Sequence, residues 1–106
     1  MKPVLVITTL NSTDKGEEIA AKLVNLRLAA CVNILGPITS YYFWENKLQK
    51  DIEYKLFIKS REDLWPEICS FIKKEHPYSV PEILKVEISE ADKEYYQWLI
   101  ESCKVS

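Results

Sequence analysis

The sequence predicts an α+β sandwich, an antiparallel sheet with helices laid on one face. Three observations carry the prediction. The spacing of apolar residues switches between the period of a strand and that of a helix in the order βαββαβ, with one more helical segment at the end. The two glycines and five prolines are spent singly, where one pattern gives way to the next. At 106 residues with 47% apolar and 28% charged side chains, the chain has the composition of one globular domain with one modest core, spanning residues 1–106.

Residues 4–8, within "VLVITTL", form a mostly β-branched apolar run bounded by polar residues, the pattern of a strand buried on both faces. From about Asp14 the period changes: Ile19, Ala20, Leu23 and Leu26 share one helical stripe, and "STDKGE" ahead of them offers Ser, Thr and Asp as N-caps with Glu17 early in the helix. Residues 29–45 and 47–59 read as two strands around "WENKL", where Asn46 suits the left-handed backbone of a tight hairpin. In the second of these, Ile52, Tyr54, Leu56 and Ile58 alternate with Glu53, Lys55 and Lys59, interrupted by Phe57. The first places Ile38, Tyr42 and Trp44 on one face and Tyr41 and Phe43 on the other.

A second helix is expected from about Ser60, with Leu64, Ile68, Phe71 and Ile72 as its stripe and Pro66 tolerated in the first turn. "HPYSVPE" stops it, and Pro81 holds that loop extended. Residues 83–88 form the last strand, and Ser89 with Asp92 opens a final helix bearing Tyr95, Trp98, Leu99 and Ser102. This is the ferredoxin-like, split-βαβ order. Helices on one side leave the other sheet face open, and the aromatic surface of the long hairpin exceeds what a monomer usually exposes, so a homo-oligomer is expected. Trp44, next to the turn, is suited to fixing hairpin packing.

A net charge of -2 without a basic block gives no electrostatic case for nucleic acid. The run after Lys2 is too short for a secretory signal and is followed by no small-residue cleavage site, and no segment reaches the ~20 apolar residues of a membrane helix. Three widely spaced cysteines suit free thiols in a reducing compartment, so the expected setting is the cytoplasm.

Phosphate-cradling and nucleophile-elbow motifs are absent, so no nucleotide cofactor is indicated. A Ser-His-Asp set would have to recruit His76 with no nucleophile beside it, and a binding protein is expected rather than an enzyme. The soft donors are Cys31, Cys69, Cys103 and His76, without a CxxC or HxxxH pair. Cys31 reads either as a buried core thiol or as a ligand. Cys69 reads as packing, and Cys103 as an exposed thiol. His76 reads either as a helix cap favoured by the dipole when protonated or as a donor. One chain offers too few soft ligands for a closed tetrahedral site, whereas several copies could combine theirs.

The blocks "LAACVNI", "ITSYYFWENKLQKD", "LFIKS", "KKEHPYSVPEIL" and "YYQWL", in this order and spacing across nearly the whole chain, resemble the CutA divalent-cation-tolerance proteins. Asn46 stands where that family typically has the glycine of "WEGK". The resemblance implies a homotrimer similar in fold to the PII signalling proteins, sheets inward and helices outward. It also implies binding of copper or another divalent cation and a part in the response to metal ions. Carried over by motif, the metal donors are Cys31 and His76, and Trp44, Lys59, Tyr78 and Glu82 wall a cleft between subunits. Three roles are compatible with it: a metal-binding trimer, a PII-like sensor holding an anionic small molecule on Lys59, and a trimer anchoring a partner protein.

Overall fold

The computed structural model describes residues 1–105. Strand β1 (Pro3–Leu10) leads into helix α1 (Thr13–Asn25), then the long hairpin β2 (Cys31–Trp44) and β3 (Lys47–Arg61). A 3₁₀ turn (Glu62–Leu64) precedes helix α2 (Trp65–Glu75), strand β4 (Leu84–Glu87) and helix α3 (Lys93–Ser102). The sheet order is β2-β3-β1-β4, and every neighbouring pair is antiparallel. This is the ferredoxin-like α+β sandwich with a C-terminal helix that the sequence predicts.

The core follows from strand alternation. Val4 and Val6 of β1 lie opposite Ser60 and Ile58 of β3, and Leu56 lies opposite Thr8, so one face of both strands is buried. Ile19 and Leu23 of α1 and Ile68 and Ile72 of α2 close over it. Each such side chain contributes roughly 1.5–3 kcal/mol by leaving water. Ser12 caps α1 by accepting the Lys15 amide proton at 3.2 Å.

Several boundaries differ from the sequence reading. Leu26, assigned to the buried stripe, lies just past α1 and is exposed. The chain reverses there through Arg27 at φ 60°, and Leu28 and Ala29 take the buried places. β2 consequently starts at Cys31 and not at residue 29. β3 does not end at Lys59, and α2 begins at Trp65, not near Ser60. Ladder pairing explains the extension: Val4 and Pro3 still face Ser60 and Arg61, and the Ser60 hydroxyl donates to the Leu28 carbonyl at 2.6 Å. Arg61 is buried; its guanidinium grips both Asp63 oxygens and donates to the carbonyls of Ile100, Cys103 and Lys104. That grip carries Cys103 inward against Ser60, so it is buried and not exposed as expected. Pro66 does sit in the first turn of α2.

The hairpin outruns the rest of the sheet. Pairing of β1 with β3 stops at Leu10 and Tyr54, while β2 and β3 continue together to a turn in which both Glu45 and Asn46 have positive φ (52° and 62°). Midway, a bulge between Leu35 and Ile38 shifts the register. Gly36 makes it possible, because at φ +147° a Cβ would meet the Tyr54 ring at 2.6 Å. Beyond the bulge the face that would continue the core is uncovered: Tyr41, Phe43, Leu48 and Ile52 are 63%, 74%, 64% and 54% exposed.

Candidate functional site

The loop after α2 is fastened to the sheet by polar contacts. His76 ends the helix with extended backbone (φ −71°, ψ 137°), and its ring is buried against β1. Nε2–H donates to the Thr9 carbonyl at 2.8 Å, and Nδ1 accepts the Tyr78 amide proton at 3.0 Å. This pairing requires the neutral Nε2–H tautomer. Burial holds the imidazole pKa below its usual value, although the Thr9 carbonyl, Glu53 and Glu82 pull the other way. His76 is therefore a neutral latch, not a protonated cap, and its one lone pair is occupied.

Tyr78 packs edge-on to His76 at 4.8 Å and donates its hydroxyl to Glu53 Oε2 at 2.7 Å. Burial and the adjacent carboxylate push the phenol pKa well above its ordinary value. Lys55 Nζ reaches Thr9 Oγ1 at 2.9 Å and Glu82 Oε2 at 3.3 Å, and the Thr9 hydroxyl donates to the same Glu82 oxygen at 3.1 Å. Tyr42 donates its hydroxyl to Asp51, which raises the pKa of that phenol too.

These contacts enclose a cavity of about 410 Å³ between the loop, β1 and the open face of the hairpin. Trp44, Tyr78 and Glu82, expected to wall a cleft between subunits, line this cavity within one protomer. Lys59 does not. It lies opposite Leu5 and Cys31, with Nζ 5.7 Å from the centre of the Tyr95 ring, whereas Thr9 of the cavity wall lies opposite Lys55. Lys55 and Lys59 stand four residues apart on β3, about 13 Å along the strand. The same step separates the expected metal donors: Cys31 pairs with Lys59, and His76 is bonded to Thr9. One protomer does not bring Cys31 and His76 together. Among the described residues no group of three or more His, Cys, Asp and Glu side chains is placed to hold a metal ion. Cys69 is half-buried on α2, and burial raises its thiol pKa.

Three acidic residues, Asp51, Glu53 and Glu82, line the cavity, and no lysine or arginine does. Asp51 and Glu53 are absent from the site read off the sequence. They were within reach, because counting outward from the turn puts Tyr42, Trp44, Asp51 and Glu53 on one face of the hairpin. No such count reaches Tyr78 or Glu82, which a loop delivers.

The sequence model described as "CutA1 divalent ion tolerance protein" matches residues 4–102. The chain belongs to the CutA1 divalent ion tolerance family. A divalent-cation tolerance protein CutA of Pyrococcus horikoshii is 38% identical over 101 residues, 95% of this chain and 98% of that protein. The CutA1 structure from Oryza sativa superposes with a TM-score of 0.97 at 36% identity, covering 100% of this chain and 97% of that one. The Cut A1 structure from Thermus thermophilus gives 0.92 at 38% identity, covering 96% and 99%. The CutA1 fold thus extends over the whole described chain, hairpin and cavity loop included, and the family's name ties it to divalent ions.

Proposed function

We propose that this protein is a cytoplasmic homotrimer that binds divalent cations, copper among them, in the response to metal ions, and that it acts by binding and not by catalysis. The observation that carries the cation reading is the cavity wall: Asp51, Glu53 and Glu82 face it, while the nearest lysine, Lys55, is already paired with Glu82. An excess of carboxylate attracts cations and disfavours an anionic ligand.

Asp51, Glu53 and Glu82 offer the oxygen donors that hard divalent ions prefer and draw such ions to the cavity, although within one protomer the three do not converge as a ligand set. The geometry does not fit a copper site made of Cys31 and His76 of one protomer, given their separation and the occupied imidazole lone pair. Copper would instead draw on the partly exposed Cys31 thiol with donors from other copies. The trimer is supported by the uncovered apolar flank of the hairpin, which a neighbouring subunit would bury. Partner-protein anchoring is the reading left if no cation binds.

Equilibrium dialysis against manganese and copper, run beside sedimentation at several concentrations, tests this. Trimer mass is expected, with manganese uptake reduced in Asp51→Asn and Glu82→Gln and copper uptake reduced in Cys31→Ser. A monomer, or uptake unchanged in all three variants, would overturn the corresponding part.

A further inference from the structure

The segment that delivers Tyr78 and Glu82 to the cavity is fastened to the sheet by side chains. Among the described residues, 77–82 make no backbone-to-backbone hydrogen bond, and Pro77 and Pro81 have no N–H to offer. Three polar fasteners remain: the His76 ring between the Thr9 carbonyl and the Tyr78 amide, the Tyr78 hydroxyl on Glu53, and Glu82 with Thr9 and Lys55. The first works in one protonation state only. With Nε2–H given to Thr9, Nδ1 accepts the Tyr78 amide proton only while it is bare. A proton on Nδ1 sets two donors against each other at 3.0 Å, on a residue only 7% exposed, where water cannot come between them.

We propose that His76 is a proton-operated latch: a proton on Nδ1 ejects the Tyr78 amide, and residues 77–82 swing off the sheet and unmake the cavity while the rest of the fold stands. The groups around the ring fit this role. Glu53 of β3 and Glu82 of the loop face it with negative charge, Lys55 of β3 is engaged by Glu82, and β1 offers the Thr9 carbonyl. On the helix that His76 ends, Glu75 is paired with Lys15 and Lys22 of α1. Tyr42 and Asp51, farther along the cavity wall, bond each other. Burial disfavours the charged ring in the closed loop, whereas a released imidazole titrates near its ordinary ~6.5. The released state thus binds the proton more tightly, and falling pH favours release. Ile72 and Ile83, on either side of the loop, stay packed on the core, and release takes Tyr78, Ser79, Val80 and Glu82 off the wall together. The latch is independent of the cation reading, since no ion takes part.

Amide hydrogen exchange of the intact protein by NMR between about pH 8 and about pH 5, with the His76 ring protons followed in the same samples, tests the latch. Protection of the Tyr78 amide, each rate taken against its unfolded-chain value at that pH, is expected to fall by up to about tenfold per pH unit from about 6.5 downward. It should level off where the folded ring itself titrates. The Ile58 amide, in the middle of β3, should keep its protection. His76→Gln retains an N–H for Thr9 but takes up no proton, and should make Tyr78 protection independent of pH. Glu53→Gln keeps an acceptor for the Tyr78 hydroxyl and should leave the dependence in place. A fall that persists in His76→Gln, or vanishes in Glu53→Gln, overturns the latch by assigning it to a carboxylate. Parallel loss at Ile58 also overturns it, since the whole domain would then be opening. Should the His76 variant fail to fold, the wild type decides: a titrating ring with the Tyr78 amide still protected, or a lost amide with the ring untitrated, overturns the proposal.

Discussion

The two halves of the β2–β3 hairpin have the same strands and the same alternation, and opposite fates. In the half nearest β1, Ile34, Leu56 and Ile58 face α1 and α2, and the β3 side chains among them are fully buried. In the outer half, Tyr41, Phe43, Leu48 and Ile52 continue that same face with no helix above them. Alternation therefore determines which residues share a face, and only the length of the covering elements determines whether that face is core or surface. The bulge at Gly36 and the Tyr78–Glu53 contact mark the seam between the halves.

The comparison can be broken at both ends. Leu56→Ala, in the covered half, should cost about 2–5 kcal/mol in urea unfolding, as for other buried leucines. Leu48→Ala, in the outer half, should change protomer stability by less than ~0.5 kcal/mol. Similar losses at the two positions would show the outer half to be covered within the protomer. Phe43→Asp should leave the circular dichroism of the fold intact but weaken self-association by about 2 kcal/mol or more, read by sedimentation. Unchanged mass would mean that this surface does not join copies of the chain.

At the seam, Tyr78→Phe removes the donor to a buried carboxylate and should cost about 1–3 kcal/mol. The smallest effect is the pH dependence of His76. Its folded pKa is lowered by burial, so the unfolded chain takes up its proton first as pH falls. Its contribution is complete above the unfolded value of about 6.5 and is lost as pH drops from there toward the folded value. His76→Asn should remove that part of the slope. The carboxylates of Glu18 and Glu75, lowered by Lys22, weaken stability only at more acid pH. A wild-type slope retained by the variant would assign it to other groups.

The fold was legible because its evidence is periodic. The alternation of Leu56 and Ile58 in β3, the α1 stripe through Ile19 and Leu23 and the turn at Asn46 are all local patterns that tertiary structure kept. Failures occurred where a distant contact prevailed over a local one: Ser60 and Arg61 look like a helix start, but pairing with β1 and the carbonyls of α3 hold them extended. Of the expected cleft residues, Trp44, Tyr78 and Glu82 line one cavity of the protomer, and Lys59 lies outside it, four residues from Lys55 along β3. His76 drew attention as the single imidazole, but only the backbone groups of Thr9 and Tyr78, which no spacing rule places, reveal that both its nitrogens are engaged.

The grip of Arg61 on the carbonyls of Ile100, Cys103 and Lys104 also has a bearing on synthesis. On the ribosome, Arg61 emerges long before its acceptors, and Leu99 and Cys103, the last pieces of the core, emerge with them. Until that segment leaves the exit tunnel, the nascent chain holds a guanidinium that can be buried only without most of its partners. The end of β3 beside it therefore stays hydrated, and the outer hairpin, already translated, waits on an unfinished core. Completion of the core is in this way deferred until the segment around Cys103 has been made.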